Sequence, residues 1–309
     1  MTYSECAKLL KEQDNILIVT HLRPDGDTLG SAAALCSALR RSGKNAVLFN
    51  NPEITEKYKK YVSKYIGEIE ADFVIAIDVA EERMFCQGFE AKVDLCIDHH
   101  PTNPGYADVT LLRENKASCG EAVLEVIKEL CGGLTAEEAS LLYMAVSTDC
   151  GGFRYANTNA ETFAAASELS DFGADVQGLN FELFRQVSKA RICLEGEICA
   201  GLKFYNEGKL VVATVTRRMM EECGATENDC DDIAGIPGKV EGCIVSVVIR
   251  ELDENKCKAS LRCHPSFDVS AVAARFGGGG HKMASGCTIF ENPEKCCEML
   301  VSAINEVWE

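Results

Sequence analysis

Short, continuous apolar runs alternate with helix-type patterns through the first half of the chain. Such runs, bounded by polar residues, are typical of strands that are buried on both faces of a parallel sheet. The pattern predicts strands at 16–20, 46–49, 72–78 and 93–98. It predicts helices at 28–41, 120–130, 136–146 and 160–169. The alternation of strand and helix therefore indicates an α/β fold with a mostly parallel sheet.

The pattern changes after a polar, helix-compatible segment at 187–200. The strands predicted beyond this segment are longer, and they are followed by a final helix. The predicted elements are strands at 209–216, 242–251 and 257–263 and helices at 269–275 and 293–307. We therefore predict a first domain at 1–186, a connector helix at 187–200 and a smaller α/β domain at 201–309.

The charge of the chain limits its partners. The formal net charge is −17 over 309 residues, whereas a protein that tracks long nucleic acid normally presents a basic face. We therefore expect any nucleotide substrate to be short. No run approaches the ~20 apolar residues of a membrane span, and the N-terminal segment is polar and amphipathic rather than a signal peptide. We expect a cytoplasmic protein with no membrane partner.

The chain contains 17 cysteines. Without a signal peptide, most of them should be reduced thiols. Cys36, Cys96, Cys199 and Cys243 occupy apolar positions of predicted helices and strands, where cysteine acts as a small hydrophobic residue. We therefore expect structural cysteines rather than a zinc or iron–sulfur site.

Polar side chains that can bind metal follow the predicted strands. His21, Asp78 and Asp98 each fall at or just after the end of a strand, and ligands of open α/β sheets bind outside the carboxyl ends of the strands. Asp25 and Asp27 flank a glycine in the loop after the first strand. Two converging carboxylates repel each other unless a cation lies between them. An Asp-rich turn with a helix N-cap is the alternative for this pair.

Two further motifs extend this set. His99 and His100 end a strand, where consecutive imidazoles point to different sides, so one can bind metal while the other faces substrate; a solvent-exposed pair is the alternative. Asp149 ends an apolar helix, and Arg154 is placed to contact an anion. The alternative for this segment is a helix C-terminus followed by a Gly-rich exit. Imidazole and carboxylate without thiolate suit Mn²⁺ better than structural zinc. Two such ions, bridged by one carboxylate, would clamp a phosphate and activate water.

These motifs, in this order, resemble the DHH phosphoesterase superfamily, which includes RecJ-type nucleases, manganese inorganic pyrophosphatases and oligoribonuclease/pAp-phosphatase proteins. Residues 276–286, FGGGGHKMASG, resemble the GGGGH signature of the DHH-associated C-terminal domain, and 260–263 and 267–270 resemble two further elements of it. The likeness covers nearly the whole chain. It implies a DHH catalytic domain, a DHH-associated substrate-binding domain and an active site in the cleft between them.

The resemblance also implies a role for each candidate. Asp78 would bridge two Mn²⁺ ions, and the catalytic residues would be His100, Asp78 and Arg154. The implied ligands are His21, Asp25 and Asp78 for one ion and Asp27, Asp78, His99 and Asp149 for the other. The implied substrate contacts are Arg262, Gly278, Gly279, Gly280, His281 and Ser285. Bare glycine amides can cradle phosphate oxygens, although a flexible turn is the alternative for this run.

The substrates implied are short nucleotide phosphoesters: oligoribonucleotides of a few residues, pApA-type linear dinucleotides, or the 3′-phosphate of adenosine 3′,5′-bisphosphate. A manganese inorganic pyrophosphatase and a cyclic-dinucleotide phosphodiesterase are the alternatives. The pyrophosphatase shares the N-terminal ligands, but the basic motif of its C-terminal domain is not found in this sequence. Cys263 departs from the family pattern, which has Ser there, and a thiol is a weaker hydrogen-bond donor. The sequence leaves the oligomeric state open, a homodimer included.

Overall fold

The computed structural model describes residues 1–86, 88–230 and 232–308. The chain divides into two units, Met1–Gln186 and Val187–Glu309, called here the N-terminal unit and the C-terminal unit. Within the described residues, no helix is long and apolar enough to cross a membrane.

A parallel sheet forms the centre of the N-terminal unit. Its strands in chain order are β1 (Ile16–Val19), β2 (Ala46–Leu48), β3 (Phe73–Ile77), β4 (Leu95–Asp98) and β5 (Val109–Leu112). The spatial order is β2-β1-β3-β4-β5, and each neighbouring pair is parallel, which confirms the predicted fold class. The direction of winding changes between β1 and β3. Ligands of such sheets bind at this switch point, beyond the carboxyl ends of the two strands.

Helices cover one face of this sheet. Ile18, Ile75 and Ile97 are fully buried on that face, in one core with the helices. The opposite face has a smaller core, in which Val19 and Ala76 pack against aromatic residues of the loops. The helices of this unit are α1 (Tyr3–Glu12), α2 (Gly26–Arg41), α3 (Glu56–Val62), α4 (Cys119–Cys131), α5 (Ala136–Asp149), α6 (Ala160–Asp171) and α7 (Val176–Asn180).

The C-terminal unit contains a mixed sheet. Its strands are β6 (Lys203–Tyr205), β7 (Leu210–Val215), β8 (Val245–Asp253), β9 (Lys256–Cys263), β10 (Gly279–His281) and β11 (Ala284–Ile289). The order is β10-β11-β9-β8-β7-β6, with β7 and β8 parallel and the other pairs antiparallel. The helices are α8 (Lys189–Ala200), α9 (Arg217–Cys223), α10 (Val269–Ala274) and α11 (Pro293–Trp308). Helix α8 occupies the segment predicted as a connector, and its Leu194 and Ile198 share a core with β7 and β8.

Several local features differ from the expectations. The glycine run includes β10, a short edge strand, although glycine-rich sequence is typical of loops. Cys36 and Cys96 are buried, but Cys199 is exposed, so the prediction for this cysteine is wrong. Cys199 directly follows the buried Ile198, and successive helix residues point about 100° apart. Cys193 and Cys223 form a disulfide between α8 and α9.

Candidate metal centre

The loop after β1 places Asp25 at the switch point. Asp25 is the N-cap of α2, and its Oδ1 accepts hydrogen bonds from the backbone N–H groups of Asp27 and Thr28, at 3.0 and 3.2 Å. Gly26 is required here because a Cβ would lie 2.3 Å from Oγ1 of Thr148. Asp25 is therefore a helix N-cap as well as a candidate metal ligand, and the capping hydrogen bonds hold its carboxylate at the edge of the sheet.

Two histidines are oriented by backbone carbonyl groups. Nδ1 of His21 lies 2.7 Å from the carbonyl oxygen of Leu22, and Nδ1 of His99 lies 3.2 Å from that of Lys116. A carbonyl oxygen can only accept, so each Nδ1 donates, and each Nε2 faces the carboxylates. Histidines that bind metal commonly have this arrangement.

Asp78 lies at the centre of the site, directly after β3. It is 3% exposed and has a positive φ of 59°. Its Oδ2 lies 3.8 Å from Nε2 of His21, whereas its Oδ1 lies 3.4 Å from Nε2 of His99 and 3.5 Å from Nδ1 of His100. Oδ1 is buried and has no hydrogen-bond partner among the described residues. The two oxygens of one carboxylate thus face two different sets of ligands.

Asp27 and Asp149 complete the second set. The carboxylate of Asp27 accepts hydrogen bonds from the backbone N–H groups of Cys119 and Gly120, at 2.7 and 2.9 Å, at the start of α4. Asp149 is the last residue of α5. Nε2 of His99 lies 3.8 Å from Oδ2 of each of these carboxylates.

The structure brings all six predicted metal ligands together in the N-terminal unit. In each of three overlapping groups, the ligand atoms lie within 4.8 Å of one another. The groups are His21–Asp25–Asp78, Asp27–His99–Asp149 and Asp78–His99–His100.

The electrostatics of these groups favour a cation. Burial raises the pKa of Asp78 well above its usual range, and the charges of Asp25, Asp98 and Asp149 raise it further. Burial likewise raises the pKa of Asp27, with Asp78 and Asp149 adding to the effect. Carboxylates that are costly to ionise together, with an unpartnered oxygen between them, fit a divalent metal site, because a cation stabilises the ionised form.

His100 is held differently from the other two histidines. Its Nδ1 lies 2.8 Å from Oδ1 of Asp98 and donates to it, which leaves Nε2 free. Asp98 also accepts hydrogen bonds from the backbone N–H of His99 and the side-chain amide of Asn103. Burial alone would raise the pKa of Asp98, but the hydrogen bonds from His100 and Asn103 outweigh it and lower the pKa. The ionised Asp98 can therefore fix the orientation of the His100 ring.

Arg154 follows Asp149 in an exposed loop. Its Nε donates a hydrogen bond of 2.6 Å to the carbonyl oxygen of Gly151, which ties the side chain to its own turn. Arg154 belongs to none of the three ligand groups. Its contact with an anion stays a prediction.

The predicted substrate contacts lie in the C-terminal unit. Arg262, Ala284 and His281 are neighbours in register on β9, β11 and β10, so the exposed side chains of Arg262 and His281 flank a small residue on one face of the sheet. Ser285 is buried and its hydroxyl donates to the carbonyl oxygen of His281. Sγ of Cys263 lies 3.4 Å from two backbone carbonyl oxygens, where it supports the adjacent turn.

The glycine run has a steric reason in the structure. A Cβ on Gly278 would lie 2.2 Å from the carbonyl oxygen of Gly286, and one on Gly280 would lie 2.6 Å from that of Ala284. Gly280 also has a φ of 136°. Gly279 has open space around it. At Gly278 and Gly280 the backbone leaves no room for a side chain, so glycine is required at both positions whether or not they bind substrate.

The backbone carbonyls and the side-chain amide that orient the candidate metal ligands were not predicted from the sequence. The carbonyl of Lys116 orients His99, and the amide of Asn157 donates to the backbone carbonyls of Ala117 and Asp149. A signal for this region exists in Ser118 and Glu121, whose spacing is typical of a helix N-terminus.

Carboxylates and imidazoles that converge at the carboxyl edge of a parallel sheet are donors that suit the divalent ions of metal-dependent hydrolases. Residues 15–146 match the DHH family, N-terminal domain, and residues 207–309 match the DHHA1 domain. The chain belongs to the DHH family of phosphoesterases, as the resemblance in the sequence predicts.

One relative is similar to this chain in sequence, and two solved structures are similar to it in fold. The bifunctional oligoribonuclease and PAP phosphatase NrnA of Thermus thermophilus is 34% identical over 290 residues, which cover 92% of this chain and 87% of the relative. The crystal structure of an exopolyphosphatase-related protein from Bacteroides fragilis has a TM-score of 0.89 at 24% identity, covering 98% of this chain and 95% of that chain. Exonuclease RecJ bound to manganese has a TM-score of 0.53 at 15% identity, covering 100% and 95%.

Proposed function

We propose that this protein hydrolyses short nucleotide phosphoesters and that two divalent metal ions, bridged by Asp78, assist the reaction. The observation that carries the proposal is the carboxylate of Asp78, which is buried and has an oxygen without a hydrogen-bond partner. Its Oδ2 faces the histidine of one ligand group and its Oδ1 faces the histidine of the other. A carboxylate that served only the fold would be expected to have its oxygens hydrogen-bonded.

The donor set supports manganese as the metal. His21, Asp25 and Asp78 would hold one ion, and Asp27, Asp78, His99 and Asp149 would hold the other. Oxygen and imidazole donors without thiolate suit Mn²⁺, and the RecJ structure named above is a manganese complex. When bound, the two ions would stabilise negative charge on the phosphate and lower the pKa of a water molecule.

His100 would act on the leaving group. Its Nδ1–H is committed to Asp98, so Nε2 is the atom that can deliver a proton to the departing oxygen. The hydrogen bond to Asp98 holds the ring in one orientation for that transfer. General acid catalysis of this kind typically contributes about 10²–10⁴-fold to the rate.

Short nucleotides are the substrates that best suit the rest of the chain. The Thermus thermophilus relative is named for oligoribonuclease and PAP phosphatase activity, and we transfer both activities to this chain as a proposal. Arg262 and His281, on one face of the C-terminal sheet, would bind a terminal phosphate, together with the amides near Gly279. A net charge of −17 disfavours long nucleic acid.

The test is the release of phosphate or mononucleotide from a panel of substrates in Mn²⁺. The panel contains adenosine 3′,5′-bisphosphate, pApA, a cyclic dinucleotide, a short RNA and pyrophosphate. We expect turnover of the linear nucleotides by the wild-type protein, and none by Asp78→Asn. Glu125→Gln, which removes the ion pair with Lys128 on α4, should match the wild type. Turnover of pyrophosphate alone would contradict the proposal and favour an inorganic pyrophosphatase.

A further inference from the structure

One short segment, 116–120, directly contacts two of the ligands that would hold the second metal ion. The carbonyl oxygen of Lys116 accepts the Nδ1–H of His99 at 3.2 Å. The backbone N–H groups of Cys119 and Gly120 donate to the carboxylate of Asp27. The position of this segment therefore decides where both ligands point.

The third ligand is linked to the same segment through Asn157. The side-chain amide of Asn157 lies 3.0 Å from the carbonyl oxygen of Ala117 and 3.2 Å from that of Asp149. The two ligands that belong to the first ion alone are held elsewhere, because His21 is oriented by Leu22 and Asp25 caps α2. A shift of the segment should therefore affect one metal site and not the other.

Glu121 anchors this segment from inside the protein. It is 1% exposed, and Nζ of Lys116 lies 3.7 Å from its Oε2. Neither carboxylate oxygen of Glu121 has a hydrogen-bond partner among the described residues. Lys116 also pairs with Glu161 at 2.8 Å, but that carboxylate is 59% exposed and is screened by water.

The helix alone does not explain a buried acid at this position. Glu121 is the third residue of α4, and its backbone N–H donates to the hydroxyl of the N-cap Ser118. In a capping box the glutamate side chain would bond back to the N-cap backbone, but the Glu121 carboxylate makes no such bond. A buried carboxylate without hydrogen bonds is costly, so its charge has a use other than helix capping.

We infer that the partly exposed Lys116 and the buried Glu121 form an ion pair that positions the Asp27–His99–Asp149 group, and that this pair sets the affinity of the second metal site. The inference rests on the proposed function for its metal ions. Neither residue touches metal or substrate, so both are positioning residues. Partners that orient metal ligands typically change metal affinity about 10–100-fold when they are mutated.

A simpler explanation is that Glu121 attracts the cation only through its charge. The two explanations predict different signs for Glu121→Gln and Lys116→Met. If charge alone matters, removal of the negative charge weakens binding of Mn²⁺ and removal of the positive charge strengthens it. If the pair positions the ligands, both substitutions weaken binding.

The experiment is a calorimetric titration of the metal-free full chain with Mn²⁺, with the magnetic coupling between the two ions followed by electron paramagnetic resonance. We expect two binding steps for the wild-type protein. In Glu121→Gln and in Lys116→Met, the Mn²⁺ affinity of one binding step should fall at least about 10-fold, while that of the other step is unchanged. The magnetic coupling between the two ions should then be lost at intermediate concentrations of Mn²⁺. Glu125→Gln, which breaks the pair with Lys128 on the same helix, should bind as the wild type does.

Lys116→Met leaves a buried carboxylate without its partner and can fail to fold. The double variant Lys116→Met/Glu121→Gln then decides, because it keeps the net charge. Positioning predicts the same weakened step as in Glu121→Gln, whereas wild-type affinity in the double variant would overturn the inference. A wild-type protein that binds no Mn²⁺ would instead contradict the proposed function, so the two failures are distinguishable.

Discussion

Replacement of Asp78 by asparagine should stabilise the metal-free protein while it destroys the metal site. The substitution keeps the shape of the side chain and removes its charge. Asparagine also tolerates the φ of 59° at this position, because Asn and Asp are the non-glycine residues most often found at positive φ. The substitution therefore isolates the effect of charge.

The expected gain follows from the unpartnered oxygen. A buried polar group without a hydrogen-bond partner costs about 1–3 kcal/mol, and more when it is charged. Oδ1 of Asp78 is such a group. Removal of the charge should relieve part of this cost and raise the free energy of unfolding by about 1–3 kcal/mol, and Tm by roughly 2–12 °C at about 2–4 °C per kcal/mol.

The gain should depend on pH. The pKa of Asp78 is raised in the folded protein, so the folded state binds this proton more tightly than the unfolded chain does. Stability from that proton is present below the unfolded pKa and is lost as pH rises through the folded pKa. Asp78→Asn should therefore be the more stable protein at neutral pH, and its advantage should vanish below about pH 4.

The assay is thermal unfolding in a chelator and again in excess Mn²⁺. At a Mn²⁺ concentration of 100 times Kd, a bound ion adds about 2.7 kcal/mol to the free energy of unfolding of the wild-type protein. Asp78→Asn should gain much less. The variant should therefore have the higher Tm in chelator and the wild type the higher Tm in Mn²⁺. Asp98→Asn is the matched control. Asp98 is also buried at a strand end but accepts hydrogen bonds from four groups of His99, His100 and Asn103, so the loss of its charge should destabilise the protein. A metal-free Asp78→Asn protein that melts below the wild type would refute the reasoning.

Three other predictions concern catalysis and the C-terminal unit. His100→Ala should lower kcat about 10²–10⁴-fold, as measured by turnover, because the role of His100 is proton transfer. Its affinity for Mn²⁺, as measured by titration, should be nearly unchanged, and a large loss of affinity would make His100 a metal ligand instead. Gly278→Ala should destabilise the C-terminal unit by about 1–3 kcal/mol through overpacking. Gly279 has open space around it, so Gly279→Ala should unfold at the wild-type temperature. Equal unfolding temperatures for the two variants would contradict this. Arg262→Ala should raise KM for nucleotides with a terminal phosphate more than it lowers kcat, and an unchanged KM would remove Arg262 from the binding site.

The sequence was sufficient to predict four of the five strands of the N-terminal sheet and the edge of the sheet at which the candidate ligands lie. His21 and Asp78 directly follow strands that are apolar throughout, and the carboxyl ends of parallel strands meet at one edge. Strand β5 was not predicted, because only Leu111 of its four residues is buried and the apolar run is correspondingly weak. Strand β10 was not predicted because its glycines are typical of loops.

The supports of the ligands could not be predicted, because they depend on contacts between distant parts of the chain. Asp27 bonds to Cys119, 92 residues further along, and no local pattern links the two. The same holds for the carbonyl of Lys116, which any residue type would supply. Local patterns identify side chains that can bind metal, whereas backbone groups that orient them become visible only when the fold is known.

The most direct test of the two-metal account is to count the Mn²⁺ bound per chain and to measure pApA hydrolysis in the same samples, for the wild type and Asp78→Asn. We predict two ions per wild-type chain, turnover that disappears in a chelator and returns with Mn²⁺, and loss of both the second ion and the turnover in Asp78→Asn. Full turnover by the metal-free protein, or by Asp78→Asn, would contradict the account.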